Sequence, residues 1–159
     1  MPLYQLVYRS IPSVEMTWPV LSSIIANAQS NNTRDHITGL LVWFDGYFLQ
    51  ALEGPRLKLN KCYQRIAIDD RHTDVELMTM RPIPRRLFPD WRMRALNYLG
   101  LSSEEKDSLR VKYTPDSDEL RVPDDETLCI ALMLDALHLC RMKDSQDTKI
   151  ITPAEKGEI

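Results

Sequence analysis

The run Tyr47 to Glu53 places Phe48, Gln50 and Leu52 on one face of a strand, so that an amide interrupts an otherwise apolar surface. A buried amide needs partners for its donors and its carbonyl. In the β-prone run 3–10, Tyr4, Leu6 and Tyr8 share one face, and Leu3, Gln5 and Val7 share the other. If these two strands are neighbours, Tyr8 and Gln50 meet in a phenol–amide hydrogen bond. A phenol can give up an electron together with its proton, and an amide can present either a donor or an acceptor. Such a pair can take part in proton or electron chemistry. A Tyr–Gln pair is also, most often, just a satisfied core contact, and the pattern alone leaves both readings open.

The elements that must position this pair are legible along the chain. Pro19 suits the first turn of a helix, and Leu21, Ile24, Ile25 and Ala28 repeat at helical spacing, which predicts a helix over 18–31 ending at Asn31 and Asn32. His36 to Phe44 and Tyr47 to Glu53 flank Asp45-Gly46, a hairpin signature. Gly54-Pro55 is expected to break the second strand. Leu59, Cys62, Tyr63 and Ile66 then mark an amphipathic helix ending near Asp69 and Asp70. Strands are expected at 75–83 and 91–98, separated by the proline-rich stretch 84–90. The order β-α-β-β-α-β-β predicts an α+β, ferredoxin-like sandwich: a mixed five-stranded sheet with two helices on one face. Helical patterns at 102–113 and 124–142, the latter carrying Leu128, Ile130, Met133, Leu134, Leu137 and Cys140, are expected to cover the other face. Residues 1–98 thus form the main domain, 99–143 a helical cap and 144–159 a flexible tail.

Composition excludes several function classes. With 159 residues, 43% hydrophobic and 27% charged, the chain can bury one core and is not of disordered type. A net charge of -3 gives no general attraction for phosphate backbones, which argues against nucleic acid as a partner. The local cluster Arg81, Arg85, Arg86, Arg92 and Arg94 is interrupted by prolines and lacks stacking aromatics, so it reads as a solvated loop and strand edge. Cys62, Cys129 and Cys140 fit neither a disulfide framework nor a zinc site and point to the reducing cytoplasm. No export signal and no membrane segment is expected.

Several ordered motifs together resemble the BLUF family of blue-light sensors using flavin. They are Tyr8 in the first strand, Asn31-Asn32, the IleThrGlyLeuLeu run at 37–41 and the PheLeuGln-x-LeuGluGly run at 48–54. Arg65-Ile66, the segment Asp69-Asp70-Arg71-His72, and the ArgArg-x-Phe-x-x-Trp-x-Met run from Arg85 to Met93 extend the likeness to residues 3–98. The resemblance implies a non-covalent flavin, FAD with FMN or riboflavin as alternatives, inserted between the two helices. It implies apolar contact from Ile24 and Ile66, hydrogen bonds from Asn31 and Asn32, and Arg65, Asp69, Arg71 and His72 near the ring edge, ribityl chain or phosphate end. A flat aromatic group does need apolar walls and a few directed polar groups at its rim; read by themselves, Ile24 and Ile66 are core and the charged residues are surface.

The resemblance further implies that the excited flavin takes an electron and a proton from Tyr8, leaving the Tyr8–Gln50–flavin hydrogen bonds rearranged. Trp91 and Met93 would relay the change through the last strand to the C-terminal helices. The chain is then expected to be no enzyme, to be a homo-oligomer and to signal to a downstream protein. Two rival readings remain: a small ferredoxin-like acylphosphate or phosphate-ester hydrolase using Asn32 and Arg71, which lacks a phosphate-cradling glycine loop, and a flavin-free interaction module. A light-oxygen-voltage sensor is excluded because no cysteine lies near the Phe48-Leu49-Gln50 match.

Overall fold

The computed structural model describes residues 2–44, 46–89 and 93–144. In chain order the elements are β1 (Leu3–Pro12), α1 (Trp18–Asp35), β2 (Thr38–Phe44), β3 (Tyr47–Pro55), α2 (Arg56–Ala67), β4 (His72–Ile83), β5 (Arg94–Asn97), α3 (Ser103–Tyr113) and α4 (Glu126–Asp144), with one 3-10 turn at Tyr98–Gly100. The sheet runs β4-β1-β3-β2-β5, antiparallel throughout except for the parallel pair β2 and β5. This is the predicted mixed ferredoxin-like sheet.

Local chemistry explains most boundaries. Thr17 caps α1 by accepting from the Val20 N–H, and Pro19 sits in the first turn, where no intrahelical donor is lost. The helix does not stop at Asn31-Asn32 as predicted. It continues to Asp35 and ends where His36 turns left-handed at φ 57°, its N–H returning to the Asn32 carbonyl. Both asparagines are therefore helical. β2 and β3 pair as the predicted hairpin, Phe44 facing Tyr47 and Gly46 at φ 85°, while Asp45 lies outside the described residues. Gly54-Pro55 does not break β3, because both residues stay paired with β1 and α2 starts at Arg56.

Each face of the sheet carries its own core. Leu6, Tyr8, Leu41, Phe48 and Leu52 pack with Leu21 and Ile25 of α1 and Leu59 and Cys62 of α2. On the opposite face, Val7, Leu40, Val42, Leu49 and Ala51 pack with Leu109 of α3 and with Cys129, Met133 and Leu137 of α4. The helical cap is thus where it was predicted, and Ser102 and Glu105 form a capping box at its first helix. The face of α4 is corrected: Leu128 and Leu134 are exposed, while Cys129, Ile130, Leu132, Met133, Ala136, Leu137 and Cys140 are buried. All three cysteines are buried and none is in a disulfide.

Two further predictions change. β5 is shorter than 91–98, starting at Arg94 and giving way to the 3-10 turn at Tyr98; Trp91 and Arg92 lie outside the described residues, as does the predicted tail beyond Asp144. The arginine cluster is not simply solvated. Arg94 is buried, Arg81 donates to Gln5 Oε1, and Arg86 donates to Thr38 Oγ1 and to the carbonyls of Glu53 and His36. Arg86 thus serves acceptors at the open end of the β2–β3 hairpin, and Arg81 one on β1. Among the described residues, no helix is long and apolar enough to cross a membrane.

Candidate functional site

The β1–β3 register sets Tyr8 directly opposite Gln50. Both side chains are buried on the α1/α2 face, and the Tyr8 hydroxyl donates to Gln50 Oε1. Gln50 Nε2 then donates to the Met93 sulfur at 3.2 Å. Met93 is itself held from behind, since Gln29 Nε2 of α1 donates to its carbonyl at 3.0 Å. Met93, expected to lie beyond the Tyr8–Gln50 pair, is thus its next neighbour.

In front of the pair a cleft opens between α1 and α2, with about 770 Å³ of space not filled by protein atoms, part of it open to solvent. Helical spacing builds its sides: Ile24, Asn27, Ala28, Asn31 and Asn32 line one wall, and Cys62, Arg65, Ile66 and Asp69 the other. Leu41, Phe48, Gln50 and Leu52 of the sheet form the floor, and Arg71 and His72 stand at one edge. Every residue the sequence analysis singled out for binding lines this one cleft. Asn27, Ala28, Leu41, Phe48, Leu52 and Cys62 were missed, although Ala28 and Cys62 each lie four positions from a named isoleucine and Phe48 and Leu52 alternate with Gln50. Gln29 carried no local signal at all.

Burial, reinforced by Cys62, Asp69 and Tyr63, raises the Tyr8 pKa far above the usual phenol range. The phenol therefore stays protonated and cannot lose its proton by ordinary titration. The ring is packed by Tyr63 and by the edge of His72, with centroids 6.0 and 6.2 Å away. His72 approaches the Ile66 carbonyl through Nε2 at 2.6 Å and Ser10 Oγ through Nδ1 at 2.8 Å. A carbonyl can only accept, so Nε2 carries a proton.

Charge gathers at the rim. Asp35, almost fully buried, faces Arg34 at 3.0 Å, Arg65 at 3.3 Å and Lys58 at 3.7 Å, and Arg71 is paired with Asp69. The Arg34 hydrogen bond above all pulls Asp35 down to about 2, and Arg71 lowers Asp69. Of these groups Arg65, Arg71 and Asp69 line the cleft itself, two cations against one carboxylate. Apolar walls, amides set deep in the cleft and an electropositive mouth match a flat heteroaromatic ring carrying a phosphorylated tail. The arrangement fits a flavin nucleotide. Asn32 and Arg71, the two residues a hydrolase would use, both line this same cleft, with Arg71 paired to Asp69.

Comparison with known proteins agrees with this reading. The family model BLUF, sensors of blue light using FAD, matches residues 3–94. The photoactivated adenylate cyclase subunit beta of Euglena gracilis is 38% identical over 92 residues, which is 57% of this chain and 11% of that relative. The blue light- and temperature-regulated antirepressor BluF of Escherichia coli (strain K12) is 28% identical over 86 residues, 54% of this chain and 21% of that protein. The chain thus spans only a small part of these relatives' lengths. Among solved structures, the BLUF protein BlrB in its dark state aligns with TM-score 0.66 at 28% identity, covering 87% of this chain and 98% of that one. The ground state of BlsA aligns over 98% and 97% with TM-score 0.74 at 19% identity, a likeness of fold.

Proposed function

The chain belongs to the BLUF family of sensors of blue light using FAD, and we propose that its sensing switch is the Tyr8–Gln50–Met93 hydrogen-bond chain behind the α1/α2 cleft. The observation that carries this reading is the buried Tyr8 hydroxyl on Gln50 Oε1, facing a cleft that fits a flavin. Ile24 and Ile66 would hold the ring faces, Asn31, Asn32 and Gln50 its polar edge, and Arg65, Asp69, Arg71 and His72 the ribityl and phosphate side. When bound, flavin supplies blue-light absorption and an excited state that oxidises a nearby phenol.

Tyr8 can part with its proton readily only when it also loses an electron, because burial makes the phenolate costly. With its electron and proton both passed to the bound flavin, the Tyr8 oxygen could only accept a hydrogen bond. Gln50, which now turns its carbonyl to Tyr8, must then present its amide nitrogen instead, and its bond to the Met93 sulfur is released. Met93 leads into β5, which lies against β2 and touches α4, so the rearrangement has an exit toward the cap. Residues 1–98 act as the sensor and 99–143 as its cap, consistent with separate cores on the two sheet faces. The reading includes a cytoplasmic, non-enzymatic, self-associating protein that passes its signal to a downstream partner.

The test is spectroscopic. Purified protein should be yellow, release intact flavin on denaturation and show a small reversible red shift after blue light. Tyr8→Phe should keep the flavin and lose the red-shifted state. Failure to bind FAD on reconstitution, or a normal light response in Tyr8→Phe, contradicts the assignment.

A further inference from the structure

Pairing between β1 and β4 is uneven at one place. Val7 faces Thr79 but Tyr8 faces Leu77, and the register slips again between Arg9 and Ile11. Irregularities of this kind bend a strand and leave residues outside the regular ladder. They bracket Tyr8 and Arg9, while the same two residues keep continuous pairing with Gln50 and Leu49 on β3. Successive strand residues point to opposite faces. Tyr8 reaches the cleft, and Arg9 reaches the cap: Nε donates to Glu76 Oε2 at 2.8 Å, Nη2 to Asp124 Oδ1 at 3.1 Å and Nη1 to the Val122 carbonyl at 3.4 Å. The segment it grips is seated, because Val122 is buried and the Cys129 thiol donates to the Pro123 carbonyl at 3.1 Å. Directly beyond it α4 begins.

We propose that Arg9 is the positioning residue that couples the photoactive strand to the C-terminal cap, a change at Tyr8 shifting the Arg9 guanidinium on the opposite face and loosening its hold on Val122 and Asp124. This coupling rests on the sensor reading above and adds a route through β1 to the one through Met93. The pairing irregularities on the β4 side give the Tyr8–Arg9 dipeptide room to rock, whereas its pairing with β3 ties that movement to Gln50. The contact to Asp124 is solvent-exposed, and exposed ion pairs are weak and salt-sensitive, as a contact that must open and close requires. Glu76 keeps a partner for the guanidinium when the cap side lets go.

Amide hydrogen exchange on the full flavin-loaded chain, in darkness and under steady blue light, tests the coupling. In wild type, exchange over residues 122–130 should rise on illumination. In Arg9→Gln and Asp124→Asn it should already be raised in darkness by about two- to fivefold, with little further response to light and an unaltered absorption red shift. Arg9→Lys, which keeps the charge, should retain part of the response. Asp124 lies off the sheet on an exposed side chain, so Asp124→Asn decides the matter if Arg9→Gln disturbs β1. A light response at 122–130 equal to wild type in both Asp124→Asn and Arg9→Gln overturns the proposal. So does a wild type with a normal red shift and no exchange change, which leaves the sensor reading intact; a wild type with no red shift overturns both.

Discussion

Asp35 shows how one side chain ties the two cleft helices together. Its carboxylate ends α1, takes Arg34 from its own helix, and draws Lys58 and Arg65 across from α2. Its pKa is lowered to about 2 from an ordinary 3.8, with the Arg34 hydrogen bond the leading cause. A depressed carboxylate contributes stability that is complete above the unfolded value and disappears as pH falls through the folded one. We therefore expect wild type to be more stable than Asp35→Asn above about pH 4, and the difference to close between about pH 4 and pH 2. Urea unfolding midpoints measured across that range would show it, and a gap independent of pH would rule out the ionic contribution. All three cations are substantially exposed, so solvent screening keeps the gap modest. Tyr8 is shifted the other way: burial raises its pKa far above the usual phenol range, so the phenol stays protonated.

At the scale of the element, β2 and β3 come unusually close beside the switch. A Cβ placed on Gly39 would sit 2.4 Å from the Ala51 carbonyl and 3.0 Å from the Met93 terminal methyl. Gly39→Ala should therefore cost about 1–3 kcal/mol of stability through overpacking, lowering Tm by several degrees. Because Met93 must give way, it should also alter the light-minus-dark difference spectrum; thermal melts and spectra matching wild type would contradict the crowding. The stretch between β4 and β5 is secured by a different device. Glu53 is fully buried and accepts from Gln5 Nε2 at 2.9 Å, Leu87 N at 3.1 Å and Phe88 N at 2.7 Å. A proline-rich segment with little regular pairing is thereby fixed at the end of β3, and Phe88 is delivered into the cap-side core. Periodicity could mark residues 84–90 as irregular, but it gave no sign that a carboxylate far back in the chain anchors them.

For the whole molecule, the decisive fact is that one sheet serves two cores. The cleft-side core can be completed by residues up to β5, whereas the opposite face relies on α3 and α4. A chain ending at residue 98 should keep some flavin binding and photochemistry but expose Val7, Leu40, Val42 and Leu49. It should self-associate or precipitate, as size-exclusion chromatography with light scattering would detect; a monodisperse, fully soluble fragment would mean that the cap is dispensable for covering the sheet. In the proposed reading the cap is both cover and receiver, reached from the Tyr8–Gln50 pair through Met93 at β5 and through Arg9 at β1.

Sequence by itself determined what depends on near neighbours: strand alternation that sets Gln50 among Phe48 and Leu52, helical spacing that aligns Ile24 with Ala28 and Asn31, the β2–β3 hairpin, and the order of elements that makes β1 and β3 partners. These patterns arise from backbone geometry and repeat every two or 3.6 residues, so they can be read without knowing what packs against them. Only the tertiary structure decided the contacts between residues far apart in the chain. The Met93 sulfur on Gln50, the Gln29 amide on the Met93 carbonyl, the Glu53 anchor and the Arg9 link to Asp124 are of this kind. So is the buried face of α4, an apolar helix on which several stripes are possible and the sheet selects one. Their partners are chosen by strand register and by how the elements pack, and neither quantity has a local signature in the chain.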